Sequence, residues 1–409
     1  MTAQRANPVM IGGDYAAPPV VELIQRRSLI IGGVAAAACV VGALLNPAQF
    51  FRSYLAGYLL WLGISLGCLA ILMLQHLSGG IWGFVIRRLL EAATRVFPLL
   101  AVLFVPVVIS LFVDTPMYSW ADPATVAHDS LLQHKAAYLN VPGFLARAVF
   151  YFALWCGAAH LLSRWSLQHD QAPSASLRDR MQGFSAIGLL FYGLTATFSA
   201  IDWVMSLDPH WYSTIYGMLF MAGGAVAGMS LVIAMASLLA KYRPMSDVLA
   251  PGHFHDLGKL LLAFVMIWAY FSFSQFLIIW SGNLPEEITW YHVRLAGGWR
   301  VVGLALLLFH FVLPFLLLLS RDLKRQGRTL ALVATAVLAM RFVDLYWLIA
   351  PSFPEAATGL HFHWLDLAVP VAVGGLWLAE FLRQLKSRPL LPLNDPLLPQ
   401  VLEHAHGSE

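Results

Sequence analysis

The chain has 409 residues, of which 59% are hydrophobic and 11% charged, with a formal charge of +3. A soluble domain of this size carries roughly 25% charged residues, so there is too little charge here to coat a water-soluble globule. The modest charge, without a basic run, excludes a nucleic-acid binder. Continuous apolar runs suit helices crossing ~30 Å of hydrocarbon, not the alternating ~10-residue strands of a β-barrel.

Apolar runs read against their breakers predict an all-α integral membrane protein of about ten transmembrane helices. The spans lie near 28–45, 53–74, 96–113, 144–163, 183–206, 212–240, 257–281, 299–320, 328–350 and 364–385. Residues 1–27 and 386–409 read as polar tails, the second marked by Pro389, Pro392, Pro396 and Pro399. Such tails are expected to lie against a partner or to be disordered. Arg26-Arg27-Ser28-Leu29-Ile30 before the first run resembles a twin-arginine export signal. Nine more spans follow, so the arginines are read as holding a helix end at the cytoplasmic face. Cys39, Cys68 and Cys156 fall inside spans without C-x-x-C spacing, as buried small hydrophobes rather than cluster, zinc or disulfide ligands.

Orientation follows from the basic residues. Nineteen Lys and Arg fall on the side of the N-terminus and five on the other, with Arg341 inside a span. Both termini are therefore expected in the cytoplasm. Loops 114–143 and 282–298 then face outward, carrying Pro116-Met117-Tyr118-Ser119-Trp120 and Trp290-Tyr291. The order of elements suggests a membrane domain over 28–385. It holds two four-helix bundles, near 53–206 and 212–350, with helices 1 and 10 as peripheral extras.

Ionisable residues at membrane depth are costly and invite a functional reading. Asp202 lies near the outer end of span 5, with Asp208 and His210 in the turn that follows. His310 lies mid-span 8, and Arg341 and Asp344 share one face of span 9. His361, His363 and Asp366 gather at the outer mouth of span 10. Near the cytoplasmic side Glu91, His160, His255 and Asp256 are candidates for proton uptake. Such groups with intervening waters suit proton conduction, because His changes charge near neutral pH and a desolvated Asp can approach it. For Arg341 and Asp344 a structural ion pair is the competing reading. For Asp208, His210, His361 and His363 it is interfacial solvation.

Paired haem ligands are not expected. His160 and His310 are the two span histidines, and their depths differ by roughly 7 Å at 1.5 Å per residue. His361-x-His363 lacks a third metal ligand at useful spacing. A quinone head group suits a mixture of aromatic and polar residues such as Trp203, Asp208, His210, Trp211 and Tyr212, and so does an ordinary aromatic belt.

Several runs resemble the NrfD-like membrane subunits of alternative complex III. These are Ala200-Ile201-Asp202-Trp203-Val204-Met205-Ser206-Leu207-Asp208-Pro209-His210-Trp211, His255-Asp256-Leu257-Gly258-Lys259, and Trp268-Ala269-Tyr270 with Ser274-Gln275. Ile279-Trp280-Ser281-Gly282-Asn283-Leu284-Pro285-Glu286-Glu287 follows in order, as do Gly297-Gly298-Trp299 and Asn394-Asp395-Pro396. Together they favour the smaller of that complex's two large membrane subunits, the ActF type. The resemblance implies a non-haem integral subunit of a quinol:cytochrome c oxidoreductase in a bacterial inner membrane. Its partners would be a sister NrfD-like membrane subunit, an iron–sulfur subunit and multihaem cytochrome c subunits, which hold the redox centres. A quinone or quinol is the one cofactor it implies for this chain, with nothing covalent and no haem or cluster. It carries a proton path onto Asp202, His310, Arg341 and Asp344. Two other classes stand beside it. One is a two-repeat secondary transporter, for which Pro106 and Pro314 fall in spans 3 and 8 without a matching break in the other half. The other is a purely structural membrane anchor.

Overall fold

A computed structural model describes residues 15–113, 116–353, 356, 359–395, 397–398 and 401. Ten of its helices are long and apolar enough to cross a membrane: α1 (Pro19–Leu45), α2 (Pro47–Ser78), α3 (Arg87–Ile109), α4 (Val141–Gln171), α5 (Ala175–Leu207), α6 (Tyr216–Leu239), α7 (Pro251–Gly282), α8 (Gly297–Leu319), α9 (Gly327–Ser352) and α10 (Leu365–Lys386). The expected ten-helix class is what the chain adopts, and no strand occurs among the described residues.

Local sequence sets several boundaries. Asn46 alone separates α1 from α2, its side chain accepting the Gln49 N–H at 3.1 Å ahead of Pro47. Asn140 caps α4 in the same way, accepting from the Gly143 N–H at 2.7 Å. Within α3, Pro98 and Pro106 withhold N–H groups, and the helix is broken by turns between its pieces. Hydroxyls of α2 serve carbonyls along it: Tyr54 donates to Leu103, Tyr58 to Leu100 and Ser65 to Ala93. Irregular backbone at membrane depth is tolerated where protein supplies the partners.

Helices α2 to α5 pack as one bundle and α6 to α9 as a second, with α1 laid along α10 and α10 against α2. The seam between the bundles is α2 against α6, the two most buried spans. A Cβ on Gly67 would lie 1.9 Å from the Gly224 carbonyl oxygen, so the backbones can only meet there without side chains.

Both ends of the helical domain lie on one face, where the Leu390 N–H donates to the Tyr15 carbonyl at 2.9 Å. We call this the N-terminal face. Here the structure extends two spans beyond expectation. α1 starts at Pro19 and α3 at Arg87, each nine residues before the predicted 28 and 96. Charged residues can continue α3 because they find partners: Arg87 pairs with Asp395 at 2.8 Å, and Arg88 with Glu91 at 2.7 Å and with Asp170. The C-terminal segment supplies part of that partnership. Instead of standing apart as a tail, it buries Leu390, Leu391 and Leu393, and Arg388 donates to the Ser163 carbonyl at 2.7 Å.

Candidate functional site

The second bundle buries a polar cluster near its middle, built from all four of its helices. Arg341 and Asp344, three residues apart on α9, form an ion pair with both side chains nearly inaccessible. Trp268 of α7 donates its indole N–H to Asp344 Oδ2 at 3.0 Å. The same indole meets the His310 ring of α8 edge to face, with centroids 4.3 Å apart. On α6, Gly223 makes room for the guanidinium: a Cβ there would lie 2.1 Å from Arg341 Cζ.

His310 is fully buried, and neither ring nitrogen finds a partner in good hydrogen-bond geometry. It sits in a π-helical stretch, Leu306–Val312, two residues before Pro314 lacks an N–H to give. The wider turn re-aims side chains, and such turns recur at functional positions.

A polar string leads from this cluster toward the face opposite the termini. Tyr216 of α6 is buried within electrostatic reach of Arg341 and Asp344 on one side and of Arg294 and Tyr291 on the other. Tyr291 accepts from Gln275 Nε2 at 3.3 Å, and Gln275 Oε1 accepts from Ser213 at 2.9 Å. Arg294 is 1% exposed, and no carboxylate among the described residues bonds it. It lies 3.5 Å over the Trp290 ring and donates to the Leu348 carbonyl at 2.7 Å and to Ser352 at 3.1 Å. Burial pulls its guanidinium down to about 9, against the opposing pull of Tyr216 and Asp208. At neutral pH it stays charged. Burial also pushes the Asp208 carboxyl up, opposed by the positive charges of Arg294, His210 and Lys135.

The first bundle holds its own buried carboxylate. Asp202 accepts from Arg147 Nε at 2.8 Å and Nη2 at 3.0 Å, and from the Tyr151 hydroxyl at 2.8 Å. Arg147 in turn lies 4.0 Å over the Tyr138 ring. The structure thus joins Arg341, Asp344 and His310 but keeps Asp202 in a separate site.

The outer-mouth residues divide three ways. Trp203 packs into the aromatic core of the first bundle, 4.7 Å from the Phe104 ring. Trp211 stacks on Trp290 at 4.5 Å, in the second bundle, and exposed His210 pairs with Asp129 at 2.8 Å. Trp203 and Trp211 thus pack against different aromatic neighbours, and His210 is turned to Asp129. Asp366 at the start of α10 accepts from Ser53 at 2.5 Å and from the His363 N–H at 2.8 Å. The Tyr346 hydroxyl bonds the His361 carbonyl, leaving the His361 ring to solvent.

The proton-uptake candidates are likewise scattered. Glu91 sits with Arg88 at the N-terminal face of the first bundle, and His160 is exposed on α4. His255 and Asp256 lie 3.8 Å apart on α7, with Asp256 bonded to Lys259 at 3.0 Å. Sequence reasoning gave no site role to Tyr216, Gln275 or Arg294, since a tyrosine, a glutamine and a loop arginine carry no cost at an unknown depth. Compared with known protein families and with curated proteins, the chain has no match.

Proposed function

We propose that this chain is a proton-conducting, non-haem membrane subunit of a quinol-oxidising electron-transfer complex of the alternative complex III type. The observation that carries the proton role is the buried Asp344–Arg341–His310–Trp268 cluster with its polar string to one face. The sequence runs around Asp202, Trp268 and Ile279 support the family. In this reading both termini are cytoplasmic, the membrane is the bacterial inner membrane, and the string through Tyr216, Tyr291 and Gln275 opens outward. Quinol chemistry belongs to partner subunits, and this chain moves protons.

The chemistry is simple. Asp344 takes a proton, which cancels its charge and frees Arg341. His310, whose ring nitrogens make no well-formed hydrogen bond, accepts or passes a proton with little existing bonding to break. Trp268 fixes the carboxylate and touches the imidazole, so both groups keep their placing while charge moves. Waters along Tyr216, Tyr291 and Gln275 would complete the transfer.

Purification in mild detergent tests the assembly: iron–sulfur and multihaem cytochrome subunits should co-purify, and a single monodisperse polypeptide would overturn it. In that complex Asp344→Asn should lower quinol turnover and proton release more than tenfold with assembly intact. Unchanged turnover and release would leave the anchor reading.

A further inference from the structure

Two cavities adjoin along the seam of α2 and α5 at the N-terminal face, remote from the proton cluster. The first is polar, about 560 Å³, within the roughly 300–1,000 Å³ usual for ligand sites. It lies where α2 and α4 end and α3 and α5 begin, at the level where lipid head groups meet a helical bundle. The second is an apolar slot of about 210 Å³ between α2, α4 and α5, with Met73, Phe184, Ile187, Gly188 and Phe191 in its walls. On α2, Gln75 and His76 line the first cavity and Met73 the second. On α5, Met181 and Gln182 line the first, and Phe184 and Gly188 the second. The polar cavity and the apolar slot thus follow one another along α2 and α5 within about two helical turns.

The polar chamber carries both signs of charge. Arg87 is paired with Asp395, and Asp170 with Arg88, within the protein. Arg178 and Asp179, neighbours in the first turns of α5, are exposed and add one charge of each sign to the wall. Two buried polar atoms at its wall also lack partners among the described residues, an amide oxygen and an imidazole nitrogen that can donate. Gln75 is 2% exposed, yet its Oε1 has no hydrogen-bond partner. It is pinned from behind by Gly83, where a Cβ would lie 1.9 Å from Gln75 Cγ. Beside it, His76 bonds Ser185 through Nδ1 at 3.1 Å and leaves Nε2 unpartnered. An unsatisfied buried polar atom is costly, and one lining a cavity invites a ligand to satisfy it.

We infer that these joined cavities hold one molecule of a zwitterionic aminophospholipid, its phosphoethanolamine head in the polar chamber and an acyl chain in the apolar slot. The phosphate suits Arg178 with His76, and the ammonium suits Asp179 and the Gln75 carbonyl oxygen. A glycerol head group would put neutral hydroxyls against Asp179 and leave its charge unpaired. A trimethylated head has no N–H for Gln75 or Asp179.

The full chain, in the complex or assembly with which it purifies, is delipidated and titrated with dioleoyl phosphatidylethanolamine, phosphatidylglycerol and phosphatidylcholine under native mass spectrometry. One phosphatidylethanolamine should bind at least fivefold more tightly than either other lipid. Tightest binding of phosphatidylglycerol, or equal binding of all three, overturns the inference. The double change Arg178→Gln, Asp179→Asn involves exposed residues and should leave the fold intact while weakening phosphatidylethanolamine at least fivefold. Gly188→Leu, which intrudes on the slot beside Met73, should weaken it as well. If neither change alters the affinity, the lipid sits elsewhere and the inference fails.

Discussion

Asp202 in the first bundle and Asp344 in the second are both buried aspartates held by arginines, but their surroundings differ. Asp202 takes two guanidinium bonds and a tyrosine hydroxyl, all from α4, and its arginine is partly exposed beside Tyr138. Its bonded donors all come from one helix, as in a brace between two helices, and the buried Tyr138 hydroxyl nearby makes no well-formed hydrogen bond among the described residues. Asp344 shares its surroundings with a buried imidazole that makes no well-formed hydrogen bond and with Tyr216 in electrostatic reach. A buried ion pair alone is weak evidence for either stability or function. What separates the two is the kind of spare group: an imidazole, with a nitrogen lone pair for a proton, beside Asp344, and a phenol beside Asp202.

The sharpest way to break the comparison is to remove each arginine. Arg341→Leu strands Asp344 in the interior and should cost about 3–5 kcal/mol. Arg147→Leu should cost less, roughly 2–3 kcal/mol, because Tyr151 still bonds Asp202 and water can reach the vacated site. The midpoint of thermal unfolding in detergent measures both. Equal losses would erase the distinction drawn here.

Gly223→Ala probes the same pair from the facing helix. Its Cβ would overlap the Arg341 guanidinium, which must move within a packed interior, so a loss of about 1–3 kcal/mol is expected. If proton release in the complex falls in step with stability, the position of Arg341 matters to both. Unchanged stability would mean that the guanidinium has a second place to go.

His310→Phe separates stability from activity. It removes a buried imidazole without a well-formed hydrogen bond and keeps a ring against Trp268, so stability should hold or rise by about 1–2 kcal/mol. Turnover and proton release should nevertheless fall at least tenfold if the histidine carries protons. Wild-type turnover in this variant would remove His310 from the route.

Much of this architecture was legible in the chain. Ten apolar runs needed only length and composition, because a helix must bond its own backbone in lipid. Asp344, Arg341 and His310 could be named because charge at membrane depth is rare. Their meeting could not be seen, since it depends on Trp268 from α7 and on a π-turn in α8, neither of which leaves a periodic mark. The early start of α3 was hidden for a related reason. Arg87, Arg88 and Glu91 read as a polar boundary until Asp395 and Asp170, distant in sequence, are brought to them. Similarly, a proline-rich C-terminal stretch looks like a loose tail because its value as a partner lies in the helices it covers.

The smallest effect expected lies at the end of the string away from Asp344, where Asp208 faces Arg294, His210 and Lys135. Burial raises its carboxyl, so the folded protein holds this proton more tightly than the unfolded chain does. The sign follows from linkage: Asp208 contributes stability below the ordinary carboxylate range, near pH 4, and that contribution is lost as pH rises through the raised value. Asp208→Asn should therefore flatten the fall in unfolding midpoint over that interval while leaving the acid end unchanged. The wild-type minus variant difference is the quantity to follow, because every other ionisable group is common to both proteins. A difference that grows toward acid instead would mean that Arg294 and Lys135 outweigh burial. That end would then be a fixed ion cluster like that of Asp202, and the string from Asp344 would stop short of the surface.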